Sequence, residues 1–318
     1  LPGFVQGMAP PPNEALNLLR LAELNKIPLL FLESLVNLRK HTWLGQQLSR
    51  YRDRQRRTLA LTADVSSLLE AAGIRYVIFK TLKPFPYTPA DIDVLLRSSS
   101  DLAGAAYVLG KRNLSPLESD LYGLTMFSLD YGLNVDLTTE LAVSGFIYLD
   151  KSLLFDGQKR VHCSGVQTLK PHADLVTLAA HSMYKEQTYA LSDYYTFALS
   201  SQYHQRALEL AQAAHARFAL EAALKLTEDI TVSAFASDNE LMPTRMPSVT
   251  TAKTGGMMEA CKALELPMRY PIPMLIRGLS QKIIGDPVSR NSLPKALESS
   301  LRPRFINKLS RHFTRRTY

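Results

Sequence analysis

FKTLKPFPYTPADIDVLL, residues 79–96, is the stretch on which the reading of this chain turns. It leaves an apolar strand end, passes Pro84, Pro86 and Pro89, and closes on Asp91-Ile92-Asp93 and an apolar run. Three prolines so close together exclude a helix across the loop. The preceding IRYVIFK, 74–80, is short, β-branched and aromatic, and IDVLL, 92–96, has the same character, so both read as strands. Residues i and i+2 of a strand share a face, which makes Asp91 and Asp93 project together. Two like charges that close repel unless a cation lies between them.

A third acid completes the pattern. LTMFSL at 124–129, the turn DYG and LNVDLTTE at 133–140 read as a β-hairpin, and Asp136 sits inside its second strand between Val135 and Leu137. An acid within a strand is unusual enough to need a reason. Carboxylates are ligands for hard divalent cations such as Mg²⁺ or Mn²⁺. Three of them on adjacent strands are suited to two such ions about 4 Å apart, which position an attacking hydroxyl and stabilise a leaving pyrophosphate.

Outward from this core the pattern is helical. Asn13 is a candidate cap for a helix from Glu14, with Leu16, Leu18, Leu19, Leu21 and Leu24 as its apolar face. Further helices are expected at 28–39 and 42–72, the latter ended by Gly73 and buried through Leu59, Leu61, Val65, Leu68 and Leu69. Ser98–Ser100 can cap a helix at 101–112, and short strands are expected near 159–169. Pro171 suits the first position of a helix. Beyond it, 172–188, 190–200, 203–226, 256–264, 271–284 and 293–312 read as helices, with a long loop over 230–255. The expected organisation is a leader and helices over 1–45, a small α/β core with a mixed sheet over 46–169, and an all-helical unit over 170–318. The opening LPGFVQGMAPPPN reads as a loose leader, with Met8 a candidate start.

Composition bounds the partners. Of 318 residues, 46% are apolar and 21% charged, an ordinary globular balance. The net charge of +8 favours a polyanion. Arg50, Arg54 and Arg57 lie in an arginine-rich helix, and Arg311, Arg315 and Arg316 in a basic C-terminus, so these six are the expected nucleic-acid contacts. No apolar run reaches the roughly 18 residues of a membrane span. Cys163 and Cys261 have no zinc-type spacing and read as reduced thiols of a cytoplasmic protein. Tyr184, Tyr189, Tyr194 and Tyr195 cluster near basic residues, where they serve either to stack on bases or to fill a core.

Strand, short loop, Asp-x-Asp at a strand start, helix, then a lone Asp on a later strand resembles the plan of the DNA polymerase β-like nucleotidyltransferase superfamily. That superfamily includes minimal and aminoglycoside nucleotidyltransferases and AbiEii/MenT-type toxins. The resemblance covers roughly residues 55–140. It implies a nucleotidyltransferase core in which Asp91, Asp93 and Asp136 bind Mg²⁺ or Mn²⁺ and a nucleoside triphosphate is the substrate. Where the superfamily has Gly-Ser at the strand end, this chain has Lys80-Thr81, so Thr81 is expected to supply the hydroxyl and Lys80 or Lys83 the charge for phosphates. The resemblance also nominates Lys185 as a catalytic, phosphate-facing cation and Asp193 as a further nucleotide-site residue, and makes an antitoxin a possible protein partner. His181 and Lys185, four apart, are expected to share a helix face.

The expected activity is transfer of a nucleoside monophosphate to a hydroxyl acceptor, RNA such as a tRNA 3′ end, with release of pyrophosphate. A protein or small-molecule acceptor is the enzymatic alternative. A catalytically degenerate nucleic-acid-binding or scaffold protein is the alternative from another class. A glycosyltransferase, which also uses Asp-x-Asp, lacks here the long nucleotide-sugar domain that should precede the motif.

Overall fold

The structure is a computed structural model that describes residues 12–35, 42–155, 158–160, 165–235 and 266–300. Three helices lead in: α1 (Pro12–Leu24), α2 (Pro28–Leu35) and α3 (Thr42–Ala71). The centre holds β1 (Tyr76–Ile78), β2 (Asp91–Leu96), α4 (Ser99–Gly110), β3 (Leu114–Ser119), β4 (Gly123–Ser128), β5 (Leu133–Thr138), β6 (Leu141–Val143) and β7 (Phe146–Leu149). After the short α5 (Ser152–Phe155) come β8 (Gln158–Arg160) and β9 (Gln167–Leu169). The rest is helical apart from β10 (Thr188–Tyr189) and β11 (Met268–Arg269): α6 (Pro171–His181), α7 (Leu191–Leu199), α8 (His204–Ala213), α9 (Arg217–Phe235), α10 (Ile272–Gly285) and α11 (Pro287–Ser300).

Seven strands form one mixed sheet in the order β3-β4-β5-β2-β1-β9-β8. The β2–β5 and β1–β9 pairs are parallel and the remaining neighbours antiparallel. The chain is thus a mixed α/β protein. Strand alternation divides the side chains between two cores. Tyr76, Ile78, Ile92, Val94, Leu96, Val135 and Leu137 pack against Leu61, Val65 and Leu69 of α3 and Ala105 and Leu109 of α4. Val77, Phe79 and Leu95, of the other parity, join the core built by the helices after residue 170. Asp91 and Asp93 share the parity of Leu95, so the same rule turns them toward the helical half.

Local chemistry explains the element ends. Gly73 is in the left-handed region (φ +67°) and closes α3, with Ile74 N–H bonded to Leu69 O and Gly73 N–H to Glu70 O. Ser98 caps α4 by accepting from Asp101 N–H. Pro171 opens α6. Ser144 and Gly145, both at positive φ, make the two-residue turn of the β6–β7 hairpin. A Cβ on Gly145 would lie 2.9 Å from the Lys295 carbonyl, so the hairpin can approach α11 only with glycine there.

The helical lead-in packs with the C-terminal half. Leu18, Leu29 and Leu32 share one core with Leu175, Ala179, Phe197 and Leu220. Asn25 ties the two together: its Nδ2 donates to Leu21 O and Leu266 O, and its Oδ1 accepts from Leu191 N–H.

Several boundaries depart from the pattern reading. α1 starts at Pro12, so Asn13 lies inside it, and its buried face is Ala15, Leu18, Leu19 and Ala22, with Leu16 and Leu24 exposed. Leu59 likewise faces solvent on α3. β3, β6 and β7 are further strands that the pattern reading left out, although Phe146-Ile147-Tyr148-Leu149 of β7 is β-branched and aromatic. The 203–226 helix is two, broken at Ala214–Ala216. α9 continues to Phe235, into the expected loop. Tyr184, Tyr189 and Tyr194 are core residues rather than exposed stacking surfaces. Cys163, Cys261, Arg311, Arg315 and Arg316, and the expected helix at 256–264, lie outside the described residues.

Candidate active site

β2 and β5 run parallel in a register that pairs Asp93 with Asp136 and Asp91 with Asn134. This ladder, with the two-residue period, brings one carboxylate oxygen each from Asp91, Asp93 and Asp136 within 4.8 Å of one another. Thr125, across the ladder on β4, donates to Asp136 Oδ1 at 2.7 Å and orients it. The carboxyl of Asp91 is pushed up to about 6 by burial and by Asp93 and Asp136, with Lys80 opposing. The cluster therefore carries more negative charge than its protein surroundings balance. Hard oxygen donors with a charge deficit of this kind fit a divalent cation such as Mg²⁺ or Mn²⁺.

The acids open into a cleft of about 460 Å³ between sheet and helices. Its lining also carries the cations Lys26, Arg54, Lys80, Lys83 and Lys185, interspersed with the acids Glu23, Glu186 and Asp193. Lys80 follows β1 in the left-handed region, φ +57°. Its backbone N–H donates to Asp174 Oδ1 at 3.3 Å, and its ammonium is 3.1 Å from Asp93 Oδ1 and 3.2 Å from His181 Nε2. The ammonium of Lys83 is buried with no hydrogen-bond partner, 5.9 Å above the Tyr87 ring. Burial pulls its pKa down, against the carboxylates of Asp174 and Asp193. Arg54 bonds the Pro89 and Ala90 carbonyls through Nη2 at 3.3 Å, which braces the loop entering β2, while its Nε is buried without a partner. Lys26 and Lys185 line the cleft from exposed positions.

The remaining expected site residues separate. Thr81 is buried. Its hydroxyl donates to Phe79 O at 3.2 Å and accepts from Asp93 N–H at 3.1 Å, so it serves the strand that carries the acids and does not line the cleft. Asp193 lines the cleft, is raised by burial against Lys83, and accepts from Ala190 N–H at 3.0 Å at the start of α7. His181 and Lys185 both line the cleft, His181 buried and Lys185 exposed, with the chain after His181 widened into a π-helical turn, Ser182–Glu186. Of the three α3 arginines expected to contact nucleic acid, only Arg54 lines the cleft. Arg57 is bound to Asp53 and the Tyr131 carbonyl, and Arg50 is exposed.

Pattern reading also missed residues. His181 is 7% exposed, bonds Tyr148 OH through Nδ1 at 3.0 Å, and bonds Glu186 Oε1 through Nε2 at 3.2 Å. Burial and the neighbouring Lys80 push its pKa down to about 3, so the ring is neutral, and the His181 hydrogen bond holds Glu186 well below the usual carboxylate range. Nothing in the spacing of Tyr148, His181 and Glu186 announces this. The π turn and the approach of β7 create it.

No protein-family model matches this chain, and no curated protein sequence matches it. What its fold and cleft define is a mixed α/β protein with a three-carboxylate cluster in a cleft that five cationic side chains also line. Among the described residues, no helix is long and apolar enough to cross a membrane.

Proposed function

We propose that the protein is a metal-dependent nucleotidyltransferase. It moves a nucleoside monophosphate from a nucleoside triphosphate to a hydroxyl, breaking the bond from the α-phosphorus to pyrophosphate and forming one from that phosphorus to the acceptor oxygen. The observation that carries this reading is the convergence of Asp91, Asp93 and Asp136 within 4.8 Å in a cleft where the buried Lys83 ammonium and Arg54 Nε have no hydrogen-bond partner. A bound Mg²⁺ or Mn²⁺ supplies charge neutralisation of the phosphates and activation of the acceptor hydroxyl. Asp91 and Asp93 hold it from one strand. Asp136, oriented by Thr125, adds a ligand and accepts the hydroxyl proton. Lys83 and Arg54, whose buried N–H groups lack partners, would gain phosphate oxygens as partners, with Lys185 and Lys80 adding charge. Asp193 fixes the environment of Lys83. The core is read as that of the polymerase β-like superfamily. Lys80 adopts a positive φ, +57°, which glycine takes readily, and this supports reading Lys80-Thr81 in the place of the superfamily's Gly-Ser.

The net charge of +8 favours RNA as acceptor, with protein or small-molecule hydroxyls the enzymatic alternatives. A second reading, a nucleic-acid-binding protein that has lost catalysis, is favoured by one observation: the Lys80 ammonium bonded to Asp93. Incubation with each labelled triphosphate, Mg²⁺ or Mn²⁺ and total RNA separates them. Label in RNA, lost in Asp93→Asn, supports the transferase. Absence of both transfer and triphosphate binding, with RNA binding intact, overturns it.

A further inference from the structure

We propose that Lys80 is a resident cation of the carboxylate cluster, so that the site takes one divalent ion per chain where the three acids alone would accept two. The inference rests on the metal-dependent reading above and concerns how that site is charged.

The Lys80 ammonium stands between the cluster and the helical half. It is 3.1 Å from Asp93 Oδ1 on one side and 3.2 Å from His181 Nε2 on the other. It is anchored at both ends. Its backbone N–H donates to Asp174 Oδ1 at 3.3 Å, and its side chain is 13% exposed. The imidazole it abuts is itself fixed, by Tyr148 OH at 3.0 Å and Glu186 Oε1 at 3.2 Å. A lysine tethered in this way sits as a fixed charge rather than a solvated one.

Charge counting gives the consequence. Three carboxylates bring three negative charges, and Lys80 cancels one. The two that remain are neutralised by a single divalent ion. A second divalent ion would have to share Asp93 with an ammonium already in contact with it, against like-charge repulsion at short range. The cleft nonetheless retains demand for an anionic ligand, since the buried Lys83 ammonium and Arg54 Nε have no partner. Phosphate charge is therefore met by one metal ion and several fixed protein cations.

The test counts Mn²⁺ on the full chain, without nucleotide, from the electron paramagnetic resonance of the unbound ion. Wild type is expected to bind one Mn²⁺. Lys80→Met is expected to bind a second, or to bind the first at least tenfold more tightly, and Lys80→Arg, which keeps the charge, to stay at one. Two equivalents on wild type, or Lys80→Met indistinguishable from it in both count and affinity, overturns the inference and leaves the transferase reading standing. No Mn²⁺ on any of the three overturns the metal reading, and the inference with it. Should Lys80→Met fail to fold by circular dichroism, Lys80→Gln, which also removes the charge, takes its place with the same expected gain.

Discussion

The acidic cluster and the cations of the cleft are built in opposite ways. The cluster comes from two adjacent strands, and its geometry is set by the β2–β5 ladder, which fixes Asp93 opposite Asp136 through backbone hydrogen bonds. The cations are gathered from distant elements: Lys26 between α1 and α2, Arg54 on α3, Lys80 and Lys83 in the loop after β1, and Lys185 on the π turn. Short carboxylates on a rigid ladder leave little freedom. Long cationic side chains take their position from whatever packs around them, and where that packing offers no partner, as at Lys83, the charge stays unpaired. Changes in the cluster should therefore act nearly all-or-none on chemistry, and changes among the cations should be graded.

The sharpest way to break this contrast is Asp93→Asn. The substitution preserves shape and removes one charge from a cluster whose members repel. Transfer of label should fall by about 10²–10³-fold or more, a loss far larger than the modest fall in melting temperature expected from unpairing Lys80. A loss of only a few-fold would mean that the acidic cluster is not where the chemistry occurs.

Lys83→Met should act next most strongly. A charged hydrogen bond is worth roughly 1.5–3 kcal/mol, so removing this donor should weaken inorganic tripolyphosphate binding by about tenfold to a hundredfold, read by calorimetry. Transfer at saturating triphosphate should suffer less. Equal binding by variant and wild type would remove Lys83 from the phosphate path and leave its buried charge without a purpose.

The contrast also bears on what was legible. Asp91, Asp93 and Asp136 could be found because a strand has a period of two and places its side chains by rule. The β1, β2 and β4–β5 strands, α3 with Gly73, and the Pro171 start of α6 were readable for the same reason: each signal is local. The rest of the cleft lining was only half readable. Lys80 and Lys83 lie beside the motif, but Lys26 and Glu186 reach the cleft through tertiary packing, and Tyr148, which does not line it, bonds His181. The π turn is the clearest instance. It brings Glu186, five residues on, back to His181 Nε2 at 3.2 Å, a contact no regular spacing announces. Thr81 shows the converse, a hydroxyl at the expected place whose bonds go to the strand backbone.

A smaller effect sharpens the acidic cluster through pH. Asp91 titrates at about 6 in the folded chain against an ordinary 3.8. Between those values the folded chain binds more protons than the unfolded one, so this group's contribution to stability falls as pH rises from about 4 to 6. His181 works the other way. Its pKa is pushed down to about 3 from 6.5, so its contribution is present above about 6.5 and is lost as pH falls toward 3. Asp91→Asn removes the first dependence alone. In metal-free buffer at pH 7 it should stabilise the chain by about 1–3 kcal/mol, and chemical denaturation should show that gain vanishing near pH 4. Excess Mn²⁺ should reverse the ranking, because wild type keeps the ligand that the variant has lost.

The smallest expected effect lies among the arginines of α3. Arg54 braces the loop that delivers Asp91, Arg57 is committed to Asp53 and the Tyr131 carbonyl, and Arg50 alone is exposed without such a partner among the described contacts. If an RNA acceptor runs along α3 toward the cleft, Arg50→Ala should reduce RNA affinity a few-fold and lower the salt slope by about 1, with melting temperature and tripolyphosphate binding unchanged. Arg57→Ala should instead lower the melting temperature and leave the slope alone. A salt slope insensitive to Arg50 would move the acceptor path off α3, and an intact slope with full transfer would favour a small hydroxyl acceptor over a polyanion.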